Sequence, residues 1–229
     1  MNVTRVSEHI WSVHTWLVFP ITVWLVKEED GVTLVDAGIP KMAKGINNAI
    51  RSLGIGPLKR IVLTHGHSDH VGAVKRLLQE WPGVPVYAHR LEIPFATGEA
   101  PYPGRRKAAQ YLPGGLPRPL PEGAGGRLEP IGGLNPYWTP GHAPGHVVYH
   151  HVQDDVLLAG DLFNAKRGRL RFPLFTFDKA QTLESSLIVR ELKPTHMEVC
   201  HGGPVRRPAD RLDDYLRAHA RHAGAGAQA

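Results

Sequence analysis

An apolar run, Ile61-Val62-Leu63, leads directly into Thr64-His65-Gly66-His67-Ser68-Asp69-His70, and Val71, Val74, Leu77 and Leu78 follow at helical spacing. The pattern predicts a buried strand, a ligand-rich turn and an amphipathic helix that Pro82 and Gly83 stop. In so tight a turn His65 and His67 can serve one metal ion while Asp69 and His70 serve a second. Local capping by surface histidines is the other use of such residues, but four donors crowded together make it the poorer account. Two ions sharing a water generate hydroxide near neutral pH and orient a carbonyl or phosphoryl group. The chain therefore has to deliver this turn to the rim of a packed scaffold.

Around it, strands are predicted at Trp24 to Lys27, Val32 to Asp36 and Val84 to Tyr87. Ile46, Ala49, Ile50 and Leu53 mark a helix that Gly54 and Pro57 end. Val147 to His151 and Val156 to Ala159 read as a hairpin across Gln153-Asp154-Asp155. Asp178 to Leu192 reads as one helix, with Asp178 as its cap and Gln181 at the third helical position. Met197 to Cys200 reads as a strand running into His201-Gly202-Gly203, and Pro208 opens a last helix with Leu212, Tyr215 and Leu216 inward. The Gly/Ala-rich end after His222 reads as a fraying tail. Alternating strands and helices argue for an α/β fold, and the hairpins argue against one purely parallel sheet. At 229 residues a single domain, 1–229, is expected.

Glycine and proline crowd positions 94–140, where only Arg105 to Tyr111 suggests a brief helix. An excursion this long fits a lid, binding loop or linker. Because reactive groups lie on both sides of it, an active-site wall is the preferred reading. The lone cysteine, Cys200, excludes an intrachain disulfide framework and a four-cysteine zinc site, and it suits a reducing cytoplasm. The apolar stretch Trp16 to Val26 is too short to span a bilayer, and the amino terminus lacks a secretory pattern. A formal charge of +6 includes two basic clusters, Arg105-Arg106-Lys107 and Lys166, Arg167, Arg169, Arg171. They can attract an anionic substrate or nucleic acid, or they are solvated loop faces.

Taken with Thr139-Pro140-Gly141-His142-Ala143-Pro144-Gly145-His146, Gly160-Asp161 and His201-Gly202-Gly203, the first motif resembles the metallo-beta-lactamase-fold superfamily. Its glyoxalase II-like and lactonase-like hydrolases are the nearest in pattern, and the resemblance runs from Asp36 through His201. It implies an αβ/βα four-layer sandwich: two mixed sheets packed together, helices outside, and the metal site at one sheet edge. It also implies two divalent ions, expected to be zinc. His142 would join His65 and His67 on the first, His201 would join Asp69 and His70 on the second, and Asp161 would bridge. Each has a local alternative, since Asp161 can be a turn former and the histidines can be structural. Asp36 would orient a metal-binding imidazole or cap its own turn, and His146 would pack or hydrogen-bond nearby. Cys200, expected to point away from His201 by strand alternation, is read as buried structure and not as a ligand.

The implied reaction is hydrolysis of an ester, thioester, lactone or related acyl bond of a small molecule. A bridging hydroxide serves as nucleophile, and Asp69 and Asp161 are the catalytic carboxylates. Asn164 stands where quorum-signal lactonases of the superfamily place a tyrosine, making it a candidate substrate contact. The short segment after His201 argues against glutathione thioesters, because glyoxalase II-like enzymes carry a further substrate-binding domain there. Three alternatives stay open: an RNA-processing phosphodiesterase, although no interleaved basic and aromatic surface is evident, an iron-dependent sulfur dioxygenase, and a non-catalytic metal-stabilised interaction protein. A homo-oligomer is compatible with all of them.

Overall fold

The chain is organised on two sheets, seen in a computed structural model that describes residues 1–220; the tail after His222 lies outside the described residues. The first sheet takes seven strands in sequence order: β1 (Asn2–Arg5), β2 (Ile10–Trp16), β3 (Pro20–Lys27), β4 (Val32–Val35), β5 (Leu58–Val62), β6 (Val86–Ala88) and β7 (Pro117–Pro119). β1 to β4 pair antiparallel and β4 to β7 parallel. Parallel neighbours need crossovers, which α1 (Ala43–Leu53), α2 (Ser68–Val71), α3 (Val74–Glu80) and α4 (Ile93–Ala96) help to supply. The second sheet contains β8 (Asn135–Trp138), β9 (Val147–His151) and β10 (Val156–Leu158). A separate ribbon follows, β11 (Asn164–Lys166) with β12 (Arg169–Arg171), and β13 (His196–Glu198) and β14 (Val205–Arg206) then complete the second sheet in the order β14-β13-β10-β9-β8. The remaining helices are α5 (Lys179–Ser185), α6 (Ile188–Leu192) and α7 (Ala209–His219).

Side-chain alternation along the strands sets how the layers stack. Val147 and Tyr149 of β9, with Val156 and Leu158 of β10, share a core with Leu25, Leu34 and Ile61 of the first sheet. The intervening Val148 and Leu157 join Leu183, Val189 and Leu212 of α5 to α7. Every residue of β9 is accordingly buried, as a strand covered on both faces requires. Ile46, Ile50, Val74 and Leu77 bring α1 and α3 onto the first sheet. The layers run helix, sheet, sheet, helix, the αβ/βα sandwich. Truncating a fully buried leucine such as Leu34 to Ala would cost roughly 2–5 kcal/mol.

The same pairing gathers the reactive turns at one edge. β4 and β5 are parallel, and so are β10 and β13, while β9 runs against β10. Asp36, Thr64-His65, Asp161 and His201 follow strand ends, and His142 and His146 precede β9. The Val147 N–H donates to the Thr64 carbonyl at 2.8 Å, stitching the sheets together beside the turn.

Several local expectations are revised. β1 and β2 have no counterpart in the sequence reading, and β3 begins earlier than expected, because buried Ser12 and Thr22 blur the alternation. Asp178 does cap, its carboxylate accepting the Gln181 N–H at 2.9 Å, but the expected single helix is two. Around the break the Ser185 hydroxyl donates to the Pro140 carbonyl and the Ser186 hydroxyl to the Leu183 carbonyl, both at 2.6 Å. Serine hydroxyls that take backbone partners loosen a helix. Arg105 to Tyr111 is a series of bends instead of a helix, since its backbone bonds go elsewhere: Arg105 N–H to the Tyr102 carbonyl and Tyr111 N–H to the Ala96 carbonyl. Among the described residues no helix is long and apolar enough to cross a membrane.

Candidate metal centre

Asp36 is fully buried at φ 59°, a costly conformation away from glycine that persists only when its surroundings enforce it. Its Oδ1 accepts the Thr64 N–H at 2.8 Å, and its Oδ2 accepts the Thr64 hydroxyl at 2.7 Å and the His70 Nδ1–H at 2.8 Å. With its proton committed, Thr64 Oγ1 accepts from His65 Nδ1 at 3.1 Å. One carboxylate thereby sets the tautomer of two imidazoles and leaves each Nε2 a bare acceptor.

His70 Nε2 lies 3.5 Å from Asp161 Oδ1, and both atoms are buried with no hydrogen-bond partner among the described residues. His201 repeats the arrangement. Its Nδ1–H donates to the Pro20 carbonyl at 2.8 Å, which aims Nε2 between Asp69 Oδ2 at 3.3 Å and Asp161 Oδ2 at 3.2 Å. Acceptors facing acceptors call for a proton or a metal cation between them. In the metal-free protein burial opposes charging, yet Cys200, Asp161 and Asp36 hold His70 well above the ordinary imidazole value. Asp161 and Cys200 do the same for His201. Burial would raise the carboxylates, but His70 and His201 keep Asp161 well below its usual range, and His201 and His70 keep Asp69 at about 2.

On the other side His67 Nδ1 lies 2.9 Å from His65 Nε2 and 3.1 Å from His142 Nε2. Burial, reinforced by neighbouring imidazoles, holds His65 well below its ordinary value and His67 at about 3. Burial likewise holds His142 at about 4 against the pull of Asp161. Neutral imidazoles with converging lone pairs are the ligands zinc takes without first displacing a proton. Asp161 faces both groups, its Oδ2 being 3.5 Å from His142 Nε2. The donor set therefore fits two divalent ions.

His146 has no lone pair to spare: Nε2 accepts the Asp161 N–H at 3.1 Å and the opposite Nδ1 bonds Thr139 Oγ1 at 2.9 Å. It sets the Asp161 turn instead of reaching an ion. Gly160, at φ 50°, lets that turn approach, because a Cβ there would meet the Thr64 Cβ at 2.8 Å.

Cys200 does not point away from His201 as strand alternation predicts. Its sulfur lies among the ligand atoms of His70, Asp161 and His201, all within 4.8 Å of one another. β13 ends at Glu198, so strand alternation no longer governs Cys200 and His201, and both turn toward the centre.

Sequence reasoning missed Glu92. It is fully buried and accepts the Gly66 N–H at 2.9 Å, the Gly145 N–H at 2.8 Å and the Tyr102 hydroxyl. It ties the two histidine turns together, and the Tyr102 ring packs 4.8 Å from that of His67. Burial raises the Glu92 carboxyl despite these donors. An isolated glutamate beside α4 belongs to no motif, and only the glycines at 66 and 145 hint at something packed close.

The description of the metallo-beta-lactamase superfamily matches residues 16–196. The chain belongs to that superfamily. Membership makes it a metal-dependent hydrolase in class. The probable metallo-hydrolase YybB of Bacillus subtilis (strain 168) is 36% identical over 222 residues, covering 94% of this chain and 98% of its own. The hydroxyacylglutathione hydrolase GloC of Haemophilus influenzae is 31% identical over 163 residues, 70% of this chain and 73% of its own. The metallo-beta-lactamase FIM-1 of Pseudomonas aeruginosa, solved in a mono-zinc form, superposes with a TM-score of 0.76 over 97% of this chain and 96% of its own; at 17% identity it shows the shared fold alone.

In this superfamily member a cavity of about 390 Å³ opens onto the centre, touching His67, Asp69, His142, Asp161 and His201. Leu17, Phe19, Leu174 and Phe175 form apolar walls, and Arg105 and Tyr111 reach it from the 94–140 segment. Asn164 also lines it, and its Oδ1 is buried without a hydrogen-bond partner among the described residues.

Proposed function

We propose that the protein is a cytoplasmic, dinuclear zinc hydrolase of small-molecule acyl bonds, whether ester, thioester or lactone. In this reading His65, His67 and His142 would hold one ion, Asp69, His70 and His201 would hold the other, and Asp161 would be shared between them. When bound, the ions supply a hydroxide nucleophile near neutral pH and polarise the substrate carbonyl. Asp36 and His146 orient that shell, and Asp69, at the cavity edge, moves a proton as the bond breaks. Asn164 holds the substrate carbonyl with its amide, and the segment 94–140 closes one wall of a single folded unit. The observation that carries the reading is the set of bare acceptors converging on Asp161 at the foot of a largely apolar cavity of about 390 Å³. The relative GloC is named for a thioester hydrolysis, which supports including thioesters.

A rate panel of lactones, simple esters, glutathione thioesters, beta-lactams and single-stranded RNA, run with zinc-loaded protein, tests it. Acyl hydrolysis with little RNA cleavage is expected; RNA cleavage alone would transfer the centre to phosphoryl chemistry. Elemental analysis after dialysis should find close to two divalent ions per chain, and a single iron with no zinc-filled second site would defeat the dinuclear core. Asn lacks the reach and aromatic surface of the lactonase tyrosine, so Asn164→Tyr should improve acyl-homoserine lactone use relative to simple esters.

A further inference from the structure

Among the described residues Arg105 is the one lysine or arginine that lines the cavity. Its position is built up from the metal turns. Glu92 holds the Tyr102 hydroxyl, the Tyr102 carbonyl accepts the Arg105 N–H at 2.9 Å, and an Arg105 Nη1–H donates to the Tyr111 hydroxyl at 3.1 Å. Tyr111 is anchored in turn through its N–H to the Ala96 carbonyl at 3.0 Å. Among the described residues no carboxylate lies within ion-pair distance of this guanidinium, unlike those of Arg51, Arg60, Arg90 and Arg190. Most of its five donors therefore stay available in a fork that suits carboxylate or phosphate oxygens. Leu17, Phe19, Leu174 and Phe175 offer nothing polar around it, and two divalent ions would outweigh Asp69 and Asp161 and keep the cavity cationic.

We propose that Arg105, steadied by Tyr111, is an anion subsite, and that the natural substrate is an acyl compound with a carboxylate or phosphate group remote from the scissile bond and an apolar stretch between. This rests on the acyl-hydrolase reading and deepens it. Charge-assisted, bidentate bonds give the preference its strength, and because the Arg105 side chain is exposed salt screens it.

The test uses zinc-loaded protein and two sets of thioesters. One set carries the charge on the acyl chain and the other on the leaving thiol, each as free carboxylate, methyl-capped carboxylate and phosphate. At least one charged thioester should exceed its capped partner about tenfold in kcat/KM, mainly through KM, with a gap that shrinks as salt rises. Arg105→Gln should bring that ratio near one, whereas Arg106→Gln, outside the cavity lining, should leave it unchanged. The preference between carboxylate and phosphate names the anion. Calorimetric binding of the free-acid and capped products to both proteins needs no turnover. Arg105-dependent anion binding without thioester hydrolysis would support the subsite while defeating the acyl-hydrolase reading. Turnover indifferent to charge in both sets, a preference that survives in Arg105→Gln, or neither turnover nor anion binding would overturn the subsite.

Discussion

In one half of the centre burial keeps His67 and His142 neutral, at about 3 and about 4; in the other, Cys200 and the carboxylates overcome burial and hold His70 and His201 charged. Both halves converge on Asp161, yet they meet an incoming ion differently. The three imidazoles present lone pairs already stripped of protons. The carboxylate half is closed by protons that an ion must displace, so its metal affinity should fall more steeply with acid. Two ions bound as proposed would then enter in sequence, with the imidazole half filled first at low pH.

The largest expected effect is at the shared residue. Asp161→Asn keeps the shape but removes the anionic bridge proposed for the two ions, and turnover should fall at least about 100-fold, beyond the range for groups that merely orient ligands. Bound metal should drop toward one ion per chain, and the far-ultraviolet spectrum should be unchanged. Wild-type occupancy and rate in this variant would show that the halves are independent.

Asp36→Asn and Glu92→Gln separate the halves by what holds them. Asp36 orients His70 directly and His65 through Thr64, so its variant should weaken both ions, by about 10–100-fold in affinity. Glu92 ties down the Gly66 and Gly145 turns beside the imidazole half, together with the Tyr102 hydroxyl. A glutamine there must point its NH₂ at either the Gly66 or the Gly145 N–H, leaving one buried donor unpaired. Glu92→Gln should lower first-ion affinity about tenfold and shift the visible spectrum of cobalt bound in that half. An equal loss at both ions would make Glu92 a general structural support.

A smaller contrast concerns pH in the chelated protein. His67 and His142 have folded values below the unfolded 6.5, so their stabilisation is present above that pH and is lost as pH falls toward about 3 for His67 and about 4 for His142. His70 and His201 have raised values, so theirs is complete below 6.5 and fades as pH climbs through the folded values. Denaturant midpoints should therefore fall on both sides. A His67→Gln/His142→Gln variant should flatten the acid limb and spare the alkaline one; an unchanged acid limb would place the responsible groups elsewhere.

Smallest of all should be Cys200→Ser. The carboxylate half has its donors without the sulfur, so occupancy and rate should stay within about twofold, well under the tenfold typical of an outer-shell loss. A selective loss of the second ion would instead make Cys200 a ligand.

The donors of the first motif were legible because they are neighbours in the chain. Whatever the rest of the protein does, four side chains in one turn between a buried strand and a helix stay within reach of a common point. The α/β class was legible in the same way, from periods of two and 3.6 that operate within single elements, whereas the order of the four layers came from the resemblance to the superfamily. What sequence alone left open depends on groups far apart in the chain. Glu92 acquires its role only when β6 and α4 bring it against Gly66 and Gly145. His146 loses its last lone pair only because the Asp161 turn lies over it. Cys200 faces the centre because β13 stops short of it, and Arg105 reaches the cavity because its backbone bonds run to Tyr102 instead of along a helix. Local periodicity constrains which face of an element is buried; where a bend points its side chains is set by the distant backbone it packs against, and that contact exists only in the folded molecule.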